Sequence, residues 1–284
     1  MNSKALLVGI NDYAPAGVGG PDLNGCVNDV RDMATTLSAI GVVPIIPSRM
    51  QILTDKNATR SRIMTGLNWL MTGAKKGDTL VFYYSGHGSY IVDASGDELD
   101  RRDEVICPHD FSTAGYIRDD DLRAVFKTLP AGVNLEVILD SCFSGTGTRD
   151  LEEFILETGA AVRFIEPPID DSLFADEVPV CPLLADHRPV ADRGDRVLVP
   201  TATLNHVLWA AAKDTQLAQE KPIGGIVRGV FTYNFCKFLR AAGTALPLRR
   251  ALDYLVTGAV SSMAAAQTPQ LEGTTATFAE KVFR

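Results

Sequence analysis

Along the 284-residue chain, short continuous apolar runs alternate with stretches in which apolar residues recur every three or four positions. Ala5 to Ile10, Thr79 to Tyr84 and Leu135 to Leu139 are runs of the first kind, as expected for parallel strands buried on both faces. A shorter strand is expected near Gln51 to Leu53, and another at Val207 to Ala212. The helical spacing appears first at Val27, Val30, Ala34 and Leu37, after an opening near Asn24. It returns at Ile63, Leu67, Leu70 and Met71, in a helix started by Thr59 and closed by Gly73 and Gly77. Phe231, Phe235, Phe238 and Leu239 predict a further helix after a loop at Gly224-Gly225, and Leu252, Leu255, Val256 and Ala259 a last one. Strands alternating with helices in this way predict an α/β fold, a mostly parallel sheet with helices on both faces.

The periodicity fails from about Asp150 to Pro200, where Pro167, Pro168, Pro179, Pro182, Pro189 and Pro200 interrupt any regular element. Residues 151–200 therefore read as an exposed insertion. The parts before it (1–150) and after it (201–284) together supply one sheet, so a single domain over 1–284 is expected.

Composition narrows the partners. A content of 46% hydrophobic and 22% charged residues is that of an ordinary globular chain, and a formal net charge of -8 argues against a nucleic-acid backbone or an anionic membrane as the main partner. No apolar run approaches a bilayer's thickness, and the run from Lys4 to Ile10 is too short for a signal-peptide core. The five cysteines (Cys26, Cys107, Cys142, Cys181, Cys236) are odd in number and widely spaced, which suggests neither a disulfide framework nor a zinc site. A cytoplasmic location and a monomer are the expectations.

Chemistry is expected where apolar strands end, because open α/β sheets collect ligands at the carboxyl ends of their strands. Tyr83-Tyr84-Ser85-Gly86-His87-Gly88 places a histidine between two glycines, where a substrate backbone can approach and a backbone N–H is free for an oxyanion. Leu139-Asp140-Ser141-Cys142-Phe143-Ser144-Gly145 places a cysteine at the matching end of another strand. A cysteine after an apolar run is ordinarily a small buried hydrophobe. The joint setting of the two residues favours a nucleophile with its proton-transfer partner, provided the two ends are adjacent in space. His109, His187 and His206 have no comparable setting.

These motifs resemble those of the caspase-like peptidases, most of all the metacaspase and orthocaspase branch. The shared elements are Tyr-Ser-Gly-His-Gly and Asp-x-Cys-x-Ser-Gly, with the histidine 55 residues ahead of the cysteine, whereas papain-like enzymes place it far downstream. The resemblance is strong from Lys4 to about Asp150 and looser at Ala210-Ala211-Ala212 and from Gly225 to Tyr233. It implies a caspase-like three-layer α/β/α sandwich, with residues 1–150 as a large-subunit-like part and 201–284 as a small-subunit-like part. It implies a cysteine endopeptidase in which Cys142 attacks the peptide carbonyl, His87 manages the protons, and the backbone N–H groups of Gly88 and Cys142 hold the oxyanion.

The same resemblance implies an acidic pocket for Arg or Lys before the cut, formed by motif position from Cys26, Asp29, Ser85 and Asp140, and hence protein or peptide substrates. Two buried carboxylates would pair with a cationic side chain and repel an acidic one. Without the resemblance, Asp29 would read as a solvated helix-start carboxylate and Asp140 as a strand-end hydrogen bonder. The stretch from Asp97 to Asp121 holds nine acidic and three basic residues, and it reads either as a solvated acidic loop or as hard oxygen ligands. By resemblance to metacaspases, calcium is expected at Asp103, Asp119, Asp120 and Asp150.

Phe143 departs from the pattern of the many metacaspases that carry a second histidine there. No Pro- or Cys-rich stretch precedes the first strand in this sequence, so a recruitment prodomain is not expected. Arg163, Arg188, Arg193 and Arg196 are candidate self-cleavage positions, since exposed loops are preferred sites of nicking. Two further readings remain open: a silent binding module that keeps the fold, and a caspase-like enzyme of other specificity.

Overall fold

The computed structural model describes residues 2–13, 22–92, 102–143, 161–165, 206–213, 216–264 and 266–284. In chain order the first half runs β1 (Ser3–Gly9), α1 (Cys26–Ala39), β2 (Met50–Thr54), α2 (Arg60–Met71), β3 (Thr79–Ser85), β4 (Gly88–Val92), β5 (Arg102–Ile106), α3 (Phe111–Ala114), β6 (Ile117–Arg118), α4 (Asp119–Phe126) and β7 (Asn134–Asp140). The rest comprises β8 (Ala161–Val162), β9 (Val207–Ala210), β10 (Gln219–Ile223), β11 (Ile226–Gly229), α5 (Val230–Ala242), α6 (Arg249–Met263), β12 (Gln270–Glu272) and α7 (Thr275–Phe278).

The central sheet has the order β12-β9-β7-β3-β1-β2, parallel throughout except for β12 against β9. Strands alternate their side chains between the two faces, and the core divides accordingly. Ala5, Leu7, Val81, Tyr83 and Ile138 pack with Met33 and Leu37 of α1, Phe231 and Phe235 of α5, and Leu252 and Val256 of α6. Leu6, Val8, Phe82, Val137 and Leu139 pack with Ile63, Leu67 and Leu70 of α2 and Leu122 and Phe126 of α4. The result is the three-layer α/β/α sandwich expected.

The helices predicted from spacing are α1, α2, α5 and α6. Thr59 caps α2 by accepting a hydrogen bond from the Arg62 N–H at 3.3 Å, and Gly73 and Gly77 follow it at positive φ. The hairpin β10–β11 turns on Gly224 and Gly225, both at positive φ, which matches the turn to the strand twist. Two features escaped the pattern. The small sheet β4-β5-β6 is antiparallel, and its central strand contains Arg102, Asp103 and Glu104, so its polar residues hide it. In α4, three aspartates that read as a loop cluster form the first turn of a helix, where the exposed backbone N–H groups favour negative charge.

One buried ion pair ties β7, in the middle of the chain, to its C-terminal part. The Arg249 guanidinium lies 2.7 Å from the Glu136 carboxylate, which also accepts from the Trp209 indole at 2.7 Å and the Phe283 N–H at 2.9 Å. Its donors satisfy the carboxylate, as burial in the sheet requires.

Candidate active site

The last residues of β3 and β7, Ser85 and Asp140, are opposite each other in the parallel register. His87 and Cys142 each stand two residues beyond that pair, so neighbouring strands bring imidazole and thiol to one edge of the sheet. The Gly86 N–H donates to the Asp140 carbonyl at 3.3 Å and carries the pairing one step past the strands.

Two tyrosines to which the sequence reading gave no role fix the histidine. The His87 N–H donates to the Tyr13 hydroxyl at 2.7 Å, the Tyr84 hydroxyl donates to the His87 carbonyl at 2.6 Å, and the Tyr13 ring lies 4.8 Å from the imidazole. They also explain the flanking glycine, because a Cβ on Gly86 would lie 2.6 Å from each tyrosine hydroxyl. At Gly88 a Cβ would overlap the Cys142 carbonyl oxygen. Both glycines thus serve contacts within the protein, whereas the sequence suggested room for a substrate backbone and a free N–H for an oxyanion.

The Cys142 thiol is buried, with 1% exposure, and accepts a hydrogen bond from the Ala218 N–H at 2.7 Å. Burial pushes it up to about 12, against the pull of the backbone donors of Ala218 and Arg163. In this state the thiol keeps its proton.

The pocket residues come together around an occupant the sequence placed on the surface: Arg163. It was expected in an exposed loop, yet its side chain is fully buried. One guanidinium nitrogen, Nη1, lies 2.8 Å from Asp140 Oδ1 and donates to Ser85 Oγ at 2.9 Å and the Asp140 carbonyl at 3.1 Å. The other, Nη2, reaches Asp29 Oδ2 at 2.6 Å and Glu220 Oε2 at 3.5 Å. Burial is possible because three carboxylates meet one cation. Burial, only partly offset by Arg163 and aggravated by Asp140, raises Asp29 to about 7. Cys26 is buried beside Ser85 and lies in the field of Arg163, and burial pushes its thiol up.

Glu220, Gly229 and Thr232 complete the pocket and were not found from sequence. Glu220 accepts from the Asn24 and Gly25 N–H groups at 2.8 and 2.9 Å, and so ties the pocket to the start of α1. The Gly229 N–H donates to both oxygens of Asp29, and a Cβ there would overlap Asp140 Oδ2. Thr232 donates to the Asp140 carboxylate from its hydroxyl at 2.6 Å and from its N–H at 3.2 Å. No short motif links these residues to Asp29 or Asp140; only tertiary packing does.

A family model for the metacaspase peptidase C14 domain matches residues 3–151, which include both motifs and the first strands of the sheet. The chain belongs to the metacaspase family. Metacaspase-1A of Aspergillus niger is 34% identical over 262 residues, covering 84% of this chain and 62% of that protein. Metacaspase-1 of Ajellomyces capsulatus is 34% identical with 70% of its length covered. This metacaspase chain thus spans about three-fifths of the Aspergillus relative. Among solved structures, a protein of Geobacter sulfurreducens superposes with a TM-score of 0.69 at 24% identity, covering 100% of this chain and 98% of its own. Caspase-1 of Spodoptera frugiperda gives 0.56 at 13% identity, covering 100% and 92%. Both likenesses are of fold, and they agree with the sandwich described above.

Three of the expected metal ligands of this metacaspase, Asp103, Asp119 and Asp120, lie on β5 and at the start of α4. Asp119 and Asp120 each pair with Arg123 at 2.9 Å, and the buried Asp103 lies 3.7 Å from Arg118. Burial raises Asp119 to about 7, with Asp120 and Asp103 adding to the effect against Arg123. Among the described residues no group of three or more His, Cys, Asp or Glu is placed to hold a metal. Asp150, Arg188, Arg193 and Arg196 lie outside the described residues. No helix among the described residues is long and apolar enough to cross a membrane.

Proposed function

We propose that this chain is a cysteine endopeptidase that cuts peptide bonds after Arg or Lys through an acyl-enzyme. The observation that carries the reading is the buried arginine in the Asp29, Asp140 and Glu220 cage, with its own carbonyl held by the Gly88 and Cys142 N–H groups at 3.0 and 3.2 Å. Those two donors suit a developing oxyanion, since both already point at a carbonyl beside the thiol. In the proposed cycle His87 takes the Cys142 proton, the thiolate forms a bond to the carbonyl carbon, and the C–N bond breaks as His87 returns the proton to the leaving amine. Water then hydrolyses the thioester. The cage favours a cationic residue because an acidic one would face three carboxylates.

Calcium is part of the proposal. Asp103, Asp119 and Asp120, with Asp150, would hold it, and the fit rests on donor type: all are hard carboxylate oxygens, and Asp119 is a buried acid whose ionisation a nearby cation would ease. The ion would supply positive charge in competition with Arg123.

Fluorogenic peptides ending in Arg, Lys or Asp, assayed with and without calcium, test the reading. Hydrolysis after Arg and Lys, increased by calcium, is expected. Cleavage after Asp alone would overturn the pocket assignment, and no cleavage under any condition would leave a silent binding module.

A further inference from the structure

The small sheet β4-β5-β6 ends on β4, so one side of β4 pairs with β5 and the other is an edge. That edge borders the candidate site, because β4 begins at Gly88, directly after His87. Gly88 uses both of its backbone groups there. Its N–H donates to the Arg163 carbonyl and its carbonyl accepts from the Ile165 N–H, each at 3.0 Å, in a parallel bridge centred on Phe164. The N–H has a use in the proposed chemistry, as an oxyanion donor, but the carbonyl has none. It meets the chain two residues after the caged arginine, where the leaving half of a substrate would run.

The side chains follow from the bridge. Gly88 and Tyr90 are two apart on β4 and share one face, and the bridge partner Phe164 lies on that face too. Phe164, with 6% exposure, accordingly stacks on Tyr90, with ring centroids 6.1 Å apart and 27° between the planes. Ile165 alternates to the other side and joins the cluster of Ile106, Cys107 and Phe143. Behind this surface β5 holds Tyr90 in register opposite Glu104. A sheet edge of this kind takes an extended peptide by strand addition: the backbone bonds give affinity and the alternate side chains give selectivity.

We propose that the edge of β4 binds the substrate residues that follow the cut, that Tyr90 selects an aromatic side chain in the first of those positions, and that the Gly88 carbonyl anchors the N–H of the second. This rests on the Arg/Lys endopeptidase reading and names more of its substrate: Arg or Lys, then an aromatic residue, in a chain extended on both sides of the bond. Residues before the cut lie antiparallel on β10 and residues after it lie parallel on β4. Gly88 thus holds the carbonyl under attack with one backbone group and the leaving half with the other.

The test uses the full chain and peptides Ala-Val-Arg-Xaa-Ile-Gly, blocked at both ends, with the cut located by mass. Phe or Tyr at Xaa is expected to give a kcat/KM about tenfold above that of Ala, from ring contact and apolar burial. An ester oxygen in place of the Ile N–H removes the bond to Gly88 and should lower kcat/KM by about tenfold. Tyr90→Ala should bring the Phe-to-Ala ratio to about one and Tyr90→Phe should keep it, since the ring does the selecting. The ratio is taken within one enzyme, so it does not depend on how much of a variant is folded. Equal kcat/KM for the Phe and Ala peptides in the wild type, or an unchanged ratio in Tyr90→Ala, overturns the aromatic subsite. An ester peptide cut as fast as its amide overturns the Gly88 anchor. Cutting after Arg that ignores both changes leaves the endopeptidase reading in place and removes this inference, whereas no cutting of any peptide removes both.

Discussion

Ser85 and Asp140 face each other at the ends of two neighbouring parallel strands, and that pairing places His87 and Cys142 each two residues past adjacent strand ends. Cys142→Ala and His87→Ala are each expected to lower kcat/KM on an Arg peptide by about 10³-fold or more, and the double variant to be no worse than the poorer single one, because in the proposed mechanism the pair acts as a unit. Thermal unfolding of the single variants should show that the fold is retained. Ordinary kcat/KM in either variant would remove it from the proposed chemistry.

How much of this was readable beforehand depends on distance along the chain. The strand ends carrying His87 and Cys142 announce themselves through contiguous apolar runs and local glycines. Helices α1, α2, α5 and α6 do so through spacing. Glu220, Gly229 and Thr232 do not, since each contacts a partner tens to hundreds of residues away and none sits in a distinctive local pattern. Arg163 was misplaced for a physical reason: an arginine next to Glu166-Pro167-Pro168 looks solvated unless three distant carboxylates are known to converge on it. Strand β5 was hidden in the same way by its charges.

The cage should grade its members by contact. Asp29, at 2.6 Å from the Arg163 guanidinium, is the closer partner, and Glu220, at 3.5 Å, the more distant. Asp29→Asn is expected to reduce kcat/KM for Arg peptides by about 10²-fold and Glu220→Gln by about tenfold, in line with the loss of charge-assisted bonds. Neither should confer cleavage after Asp. Equal losses in both variants would contradict the grading.

Calcium should stabilise the chain if it binds where proposed. Titration followed by differential scanning calorimetry is expected to raise Tm in the wild type, EDTA to reverse it, and Asp119→Asn to abolish it; a site at 100 times Kd gives about 2.7 kcal/mol. An unchanged Tm in the wild type would remove the metal from the proposal.

His206 is buried against Phe126, with ring centroids 5.0 Å apart, and burial lowers it from 6.5 to about 4. A histidine depressed in the folded state contributes stability that is whole above its unfolded pKa and lost as the folded value is approached from above. Wild-type stability should therefore fall relative to His206→Gln between about pH 6.5 and 4, by up to roughly 3 kcal/mol. Denaturant unfolding across that range checks it; a constant difference would contradict the burial effect.

Arg249 is the counter-charge of a carboxylate inside the sheet. Arg249→Ala leaves Glu136 with the Trp209 and Phe283 donors but no cation, and is expected to cost about 3–5 kcal/mol in urea unfolding. Replacing both partners with apolar residues should recover part of that loss.

The strand Ala161-Val162-Arg163 has a use outside the chain that carries it. It is a sequence already fitted to the cleft, with Ala161 and Val162 in register on β10 and the Arg163 carbonyl next to the thiol. On the proposed endopeptidase reading, a short acylated Ala-Val-Arg bearing an aldehyde at that carbon is thus a lead compound drawn from the protein itself. Detached, it forfeits the effective concentration of the tether, and a reversible bond to Cys142 is the means by which so small a molecule can make up the difference.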